Sequence, residues 1–296
     1  TAGWSKAAPQ DADRIAVGIC PDLCPWLCRA QPSPVDYSVE PNERLTFGIA
    51  HQDEHLLVVE KPARLPTQPG KGHARDTLLN ALFHRFGPQL QNLGKARDFG
   101  LLHRLDKDTS GLLIVALKAQ AYDRLREDFE ERRIRKFYWA LCTAAPKPPT
   151  GVIRLPILED FASPEDRAGK PRLAHISRAG KPAITAYRTL DSSELGALVE
   201  ARPITGRLHQ VRLHLDAIGC PILGDAFYGP RRAKSASPRL ALHAHRLVFK
   251  HPASGQMVDV RTDWPSDLRR TLKNLSLHKP LKNSDAGLAG IEATEG

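Results

Sequence analysis

Residues 135–142, Arg-Lys-Phe-Tyr-Trp-Ala-Leu-Cys, constrain the fold more than any other stretch. Read as a strand, they put Phe137, Trp139 and Leu141 on one face and Tyr138, Ala140 and Cys142 on the other. A strand apolar on both faces belongs inside a sheet, with layers packed on each side. Residues 111–117 form a second continuous apolar run of the same type. Between them lies an amphipathic helix near 119–133, where Tyr122, Leu125 and Phe129 recur at helical spacing. The longest apolar stretch, residues 112–117, is far shorter than the roughly 20 residues a membrane helix needs, so no membrane role is expected.

The rest of the pattern predicts a strand at 55–60, stopped by Lys61-Pro62, and a helix capped by Asp76 that runs to about Phe86. Leu78, Leu79, Leu82 and Phe83 form the apolar side of that helix. Further strands are expected at 152–158, 183–190, 197–202, 240–249 and 257–261, with helices at 206–218 and 265–275. Many strands and few helices, not alternating one for one, imply an α+β domain: a mixed, largely antiparallel sheet flanked by helices. Residues 1–45, rich in Pro, Cys, Ala and Asp without periodicity, are expected to be an extended leader. The packed domain then spans 46–275, and 276–296 read as a flexible tail. No internal repeat is visible.

Lys and Arg outnumber Asp and Glu by 43 to 33, a net charge of +10 and a pI near 9.5. Such a balance suits a polyanionic partner, RNA or DNA, although a solvated basic surface has the same composition. Cys20, Cys24, Cys28, Cys142 and Cys220 do not make a secreted disulfide framework. The Cys-x3-Cys-x3-Cys run lacks a fourth ligand nearby and the usual two-residue spacing of a zinc site. These are read as incidental thiols. A cytoplasmic location is expected, or an organellar one if a targeting segment has been removed ahead of Thr1.

The densest polar cluster is His103-Arg-Leu-Asp-Lys-Asp-Thr-Ser-Gly111, a tight loop leading into a buried strand. A calcium loop beginning at Asp106 would need Glu at its twelfth position, which is Leu117. Gly94-Lys95, Gly169-Lys170 and Gly180-Lys181 lack the Ser or Thr and the upstream Gly of a phosphate-binding loop. His103, His209, His214, His243 and His245 contain no HExxH-type pair, so no metal is expected. The remaining reading makes Asp106 a nucleophile, which needs a nearby cation if it is to stay ionised while buried. Arg212 supplies a candidate. On the helix at 206–218, Leu208, Val211, Leu215 and Ile218 make the apolar face, and Arg212 lies at its edge. The same position fits a salt bridge that only braces the fold. Tyr138 reads as a core tyrosine whose hydroxyl wants a partner, or as a catalytic one.

At His103–Gly111 the sequence resembles the RluA-type pseudouridine synthases, with their signature His-Arg-Leu-Asp-x-x-Thr-Ser-Gly. The likeness extends from about Leu45 to Trp264. It takes in Leu57-Val-Val-Glu-Lys-Pro62, Arg135-Lys-Phe-Tyr138, Gly180-Lys-Pro-Ala-Ile-Thr-Ala-Tyr187 and Gly206-Arg-Leu-His-Gln-Val-Arg212. Pro221-Ile-Leu-Gly-Asp225, Tyr228-Gly229 and Leu242-His-Ala-His245 complete it. The resemblance implies a central cleft across the sheet and no cofactor. It also implies isomerisation of specific uridines in RNA, with ribosomal or transfer RNA as the expected substrate; a monomer without an obligate protein partner is expected. By the same match Asp106 is the essential carboxylate, Tyr138 the active-site tyrosine and Arg212 the aspartate's basic partner. Arg104 fills the gap left by a flipped-out base, and His103 beside it counts with the RNA-binding residues.

Three positions depart from the family's usual pattern: Arg64, Leu208 and Cys220 stand where Gly, Thr and His are usual. They bear on RNA preference more than on catalysis. No S4 RNA-binding module is recognisable in residues 1–45. The competing expectation is a catalytically idle RNA-binding or RNA-chaperone protein of the same fold. A hydrolase is a weaker one, because none of these clusters supplies an activated water.

Overall fold

The run 135–142 becomes β4 (Arg135–Cys142), and it lies inside the sheet as its two apolar faces require. The computed structural model describes residues 37–70, 72–160 and 173–278. Before β4 come β1 (Gly48–Gln52), β2 (Leu56–Lys61), α1 (Leu78–Leu93), β3 (Ser110–Ala116) and α2 (Ala119–Glu130). After it follow β5 (Thr150–Arg154), β6 (Ile157–Glu159), β7 (Ala174–Ile176), β8 (Ile184–Ser193) and β9 (Gly196–Pro203). The remaining elements are α3 (Gln210–Ala217), α4 (Arg231–Ser235), β10 (Leu242–Lys250), β11 (Met257–Arg261) and α5 (Arg269–Asn274).

Nine strands form one sheet in the order β1-β2-β3-β10-β4-β9-β8-β5, with β11 also on β10, while β6 and β7 make a separate ribbon. Every pairing is antiparallel except β3 with β10, where Ser110 faces His243 and Gly111 faces Ala244. The sheet is therefore mixed and largely antiparallel, in an α+β fold. Gly111 is required at the one parallel junction. Its φ is +117°, and a Cβ there would collide with the backbone of Ala244.

Several boundaries differ from the sequence expectation. Thr77, not Asp76, caps α1: its side chain accepts from the Asn80 N–H while the Asn80 side chain bonds back to Thr77. Asp76 bonds His73 instead. The helix runs past Phe86 to Leu93, kinked at Phe86 ahead of Pro88, because Leu90 and Leu93 still have core to fill. The strand expected at 152–158 is divided by Leu155-Pro156 into β5 and β6, which join different sheets. The helix expected over 206–218 begins only at Gln210, because His209 takes a left-handed conformation. The helix expected over 265–275 is a short 3-10 turn at 266–268 followed by α5.

Packing reaches back to Tyr37, whose ring meets Phe83 edge-on at 5.6 Å, eight residues before the expected start at Leu45. It runs forward to Leu277, buried at the start of the expected tail. Cys20, Cys24 and Cys28 lie outside the described residues; Cys142 and Cys220 are buried free thiols. Among the described residues no helix is long and apolar enough to cross a membrane.

Candidate active site

The signature loop enters β3 at the middle of the sheet, and two clamps set its path. Thr67 Oγ1 donates to the Leu105 carbonyl at 2.8 Å and accepts from the Leu105 N–H at 3.2 Å. Lys61, fully buried at the end of β2, donates to the carbonyls of Pro62, Leu65 and Lys107 at 2.9, 2.7 and 3.2 Å. Burial pushes the Lys61 amine down to about 7, against the pull of the Asp106 and Asp108 carboxylates. The His103 ring packs on Phe129 at 5.0 Å, and its Nε2 accepts the Ile114 N–H at 3.1 Å. Burial, helped by the charge of Lys136, lowers that ring to about 3. His103 is thus neutral and braces the loop with one nitrogen. Arg104 next to it is exposed.

Asp106 faces α3 across a cleft of about 560 Å³, a size typical of ligand sites. Arg212, 4% exposed, holds two carboxylates at once. Its Nε and Nη2 donate to Asp225 at 2.7 Å each, and its Nη1 donates to Asp106 Oδ2 at 3.2 Å. Asp225 also accepts the N–H groups of Phe227 and Tyr228. Burial would raise the Asp225 carboxyl, but the hydrogen bonds and charge of Arg212 outweigh it and hold the group below its ordinary range. The expected pairing of Arg212 with Asp106 is therefore present as one arm of a triad, and its tighter arm is Asp225. Phe227 and Tyr228 cover the guanidinium, their ring centres 5.4 and 5.0 Å from its carbon.

Tyr138 lines the same cleft from β4. Burial, with the Asp106 charge second, raises its phenol well above the ordinary value, so it stays protonated and able to donate. Lys136 stands two residues earlier on the same strand face, its Nζ 5.6 Å from the centre of the Phe129 ring. Among the described residues no carboxylate pairs with it, and burial alone lowers its amine to about 8.

A base with a depressed folded pKa holds its proton less tightly than in the unfolded chain, so stability rises with pH from about 8 toward the ordinary 10.5. Lys136→Met is expected to remove that contribution. Urea unfolding at about pH 7.5 and about pH 9.5 should then find the wild type gaining on the variant as pH rises. A gap independent of pH would mean the amine titrates normally.

All five residues singled out in the sequence, Asp106, Tyr138, Arg212, His103 and Arg104, line this one cleft. Sequence reasoning missed Asp225, Lys61, Lys136, His209 and Tyr228. Asp225 had a usable signal, because a buried guanidinium has five N–H donors and one carboxylate cannot satisfy them. Leu208, expected on the apolar face of the helix, lies ahead of α3 and packs with Leu213 and Tyr228. His214 bonds Thr185 and the Leu155 carbonyl, and His243 bonds Ser110. Among the described residues no group of three or more His, Cys, Asp or Glu is placed to hold a metal ion.

The cleft thus sets a carboxylate from a strand-entry loop against a buried arginine and a protonated tyrosine. Residues 55–217 match the RNA pseudouridylate synthase family. The chain belongs to that family, in its RluA-type branch, and is an isomerase of uridine in RNA. It is 44% identical over 73% of its length to an uncharacterized RNA pseudouridine synthase of Chloroflexus aurantiacus, and spans 65% of that protein. It is 36% identical over 74% of its length to the dual-specificity RNA pseudouridine synthase RluA of Escherichia coli, spanning 93% of it. Among solved structures, human RNA pseudouridylate synthase domain containing 4 superposes with a TM-score of 0.60 at 30% identity. That match covers 79% of this chain and 95% of the human one.

Proposed function

We propose that the cleft isomerises a uridine extruded from structured RNA, ribosomal or transfer, with Asp106 as the reacting carboxylate. The observation that carries this is the Asp225–Arg212–Asp106 arrangement, which keeps a cation against a carboxylate that opens into the cleft beside Tyr138. The reaction breaks N1–C1′, turns the base and joins C5 to C1′; C5 loses a proton and N1 gains one. Three routes are open to Asp106: attack on the sugar, attack on the base, or promotion of elimination to a glycal. Tyr138 stacks near the uracil or passes the proton. Arg212 orients Asp106 and sets a positive charge beside it. Lys136, a cation without a carboxylate partner among the described residues, suits the negative charge that appears on uracil when its bond to the sugar breaks.

Unstacking a uridine costs about a few kcal/mol, which Arg104 offsets by filling the vacated place. His103 supports it by fixing the loop. The protein acts as a monomer, in the cytoplasm or an organelle. Both RNA classes are to be offered to it. Tritium release from C5-labelled uridine in ribosomal and transfer RNA tests the reading; no release from either would leave the idle RNA-binding alternative.

Arg104 and the net charge of +10 give a second test. RNA affinity should fall steeply with salt as counterions return to the phosphates. Arg104→Ala should lower the single-turnover rate at saturating enzyme by about a hundredfold while weakening the encounter complex only about twofold. Filter binding and single-turnover kinetics across a salt series measure both. If binding instead weakens in step with the rate and the salt slope flattens by about one unit, Arg104 is an ordinary phosphate contact.

A further inference from the structure

Asp106 is held by less than it first seems to be. The fork of Arg212, Nε and Nη2, is committed to Asp225, so a single N–H from Nη1 reaches Asp106 Oδ2. One hydrogen bond leaves the plane of a carboxylate free to turn. The other group on that oxygen is His209, whose Nε2 lies 3.7 Å from Asp106 Oδ2.

We propose that His209 is a positioning residue for the reaction, its Nε2–H completing a two-donor clamp on Asp106 with Arg212. This rests on Asp106 being the reacting carboxylate. At 3.7 Å the contact is longer than a hydrogen bond; such contacts in empty active sites commonly tighten when substrate binds.

The ring is built into its place. Its side chain is 9% exposed, it stacks on Phe227 with centroids 6.0 Å apart at 12°, and its Nδ1 is 2.8 Å from the Tyr228 hydroxyl. That hydroxyl also accepts the Ala174 N–H of β7 at 3.2 Å. Electrostatics selects the tautomer. If Tyr228 donates to the Ala174 carbonyl, 3.1 Å away, then Nδ1 must carry the proton and the Nε2 lone pair faces a carboxylate. If Tyr228 donates to Nδ1, Nε2 carries the proton and points at Asp106, which is the attractive arrangement.

The backbone supplies an independent sign. His209 sits at φ 54°, ψ 21°, in the left-handed region, immediately before α3. A non-glycine residue there is strained, and such strain gathers at functional sites. The conformation stops the helix one residue short and turns the ring from the helix surface toward the signature loop.

The charged groups facing the ring are Asp106 on the signature loop, Arg212 on α3, Asp225 on the 221–229 segment, and Arg104 on the cleft rim. Burial lowers its pKa; Asp106 opposes that, while Arg212 and Arg104 add to the lowering. The ring is therefore neutral at neutral pH, with one N–H to donate.

The test uses His209→Leu, His209→Asn and His209→Gln, with Asp106→Asn alongside. Leu keeps bulk without a donor; Asn tolerates the left-handed backbone but is too short; Gln carries an amide N–H toward the Nε2 position. Losing one preorganised donor should cost the Leu and Asn variants about a hundredfold in single-turnover rate, with RNA affinity within about twofold. Gln should recover at least about tenfold of that loss, because its amide supplies the missing N–H donor to Asp106. Near-wild-type rates in folded Leu and Asn variants would overturn the proposal, as would a folded Gln variant no faster than Leu. An active Asp106→Asn enzyme would overturn the underlying reading instead; an inactive one beside fully active His209 variants would reject only the clamp.

Discussion

Asp106→Asn is expected to slow tritium release from C5-labelled uridine RNA by about 10,000-fold or more while leaving RNA affinity within about threefold. The amide matches the carboxylate in size, and the turn at this residue depends on its backbone, the Thr109 N–H donating to the Asp106 carbonyl at 3.1 Å. Arg212 keeps its two bonds to Asp225, so the helix and the 221–229 segment stay joined. Only the charge facing the cleft disappears, and each of the three routes open to Asp106 needs that charge. The urea midpoint should therefore stay close to that of the wild type. Turnover within tenfold of wild type would move the chemistry to another carboxylate on the cleft wall, Glu130 or Glu159.

Arg212→Met should be inactive and should also lose about 3–5 kcal/mol of stability, as when one member of a buried ion pair is removed. The two carboxylates it holds differ. The Asp106 side chain is 24% exposed and can take up water; that of Asp225 is 1% exposed and would keep only the N–H groups of Phe227 and Tyr228. The stability loss therefore belongs mainly to Asp225 and the activity loss to Asp106. Adding Asp225→Leu to Arg212→Met removes the stranded carboxylate. The double variant should regain much of the stability and none of the activity, because an apolar pair can replace a buried ion pair but cannot orient Asp106. Urea unfolding and tritium release on both proteins separate the two effects. An active, stable Arg212→Met enzyme would show that the guanidinium serves neither carboxylate.

The strands were legible where their residues have one consistent environment. β4, β3 and β11 follow from apolar alternation or continuous apolar runs, because burial on a sheet has a period of two. The misreadings fall where local rules compete. At 76–77 both Asp and Thr can cap a helix, and the Thr77–Asn80 pair decides it. At Pro156 an apolar run continues through a residue that cannot donate to a ladder, and the chain changes sheets there. At His209 a helical pattern continues through a residue held in the left-handed region by contacts from remote segments.

By itself the sequence determined the sheet-forming segments, the basic charge and the polar loop ahead of β3, all of which depend on residues near one another in the chain. The match of ordered motifs also named Asp106, Tyr138 and Arg212 together. Only the tertiary structure decided who holds whom. Asp106 and Arg212 are 106 residues apart, and the contact exists because the loop ahead of β3 and α3 face each other across the cleft. That Arg212 gives its fork to Asp225 and one N–H to Asp106, that Lys136 is half-buried with no carboxylate partner among the described residues, and that His209 faces Asp106 are facts of distance and burial. A side chain's charge can be read from its chemical type; what compensates that charge depends on which remote groups folding brings within a few ångströms.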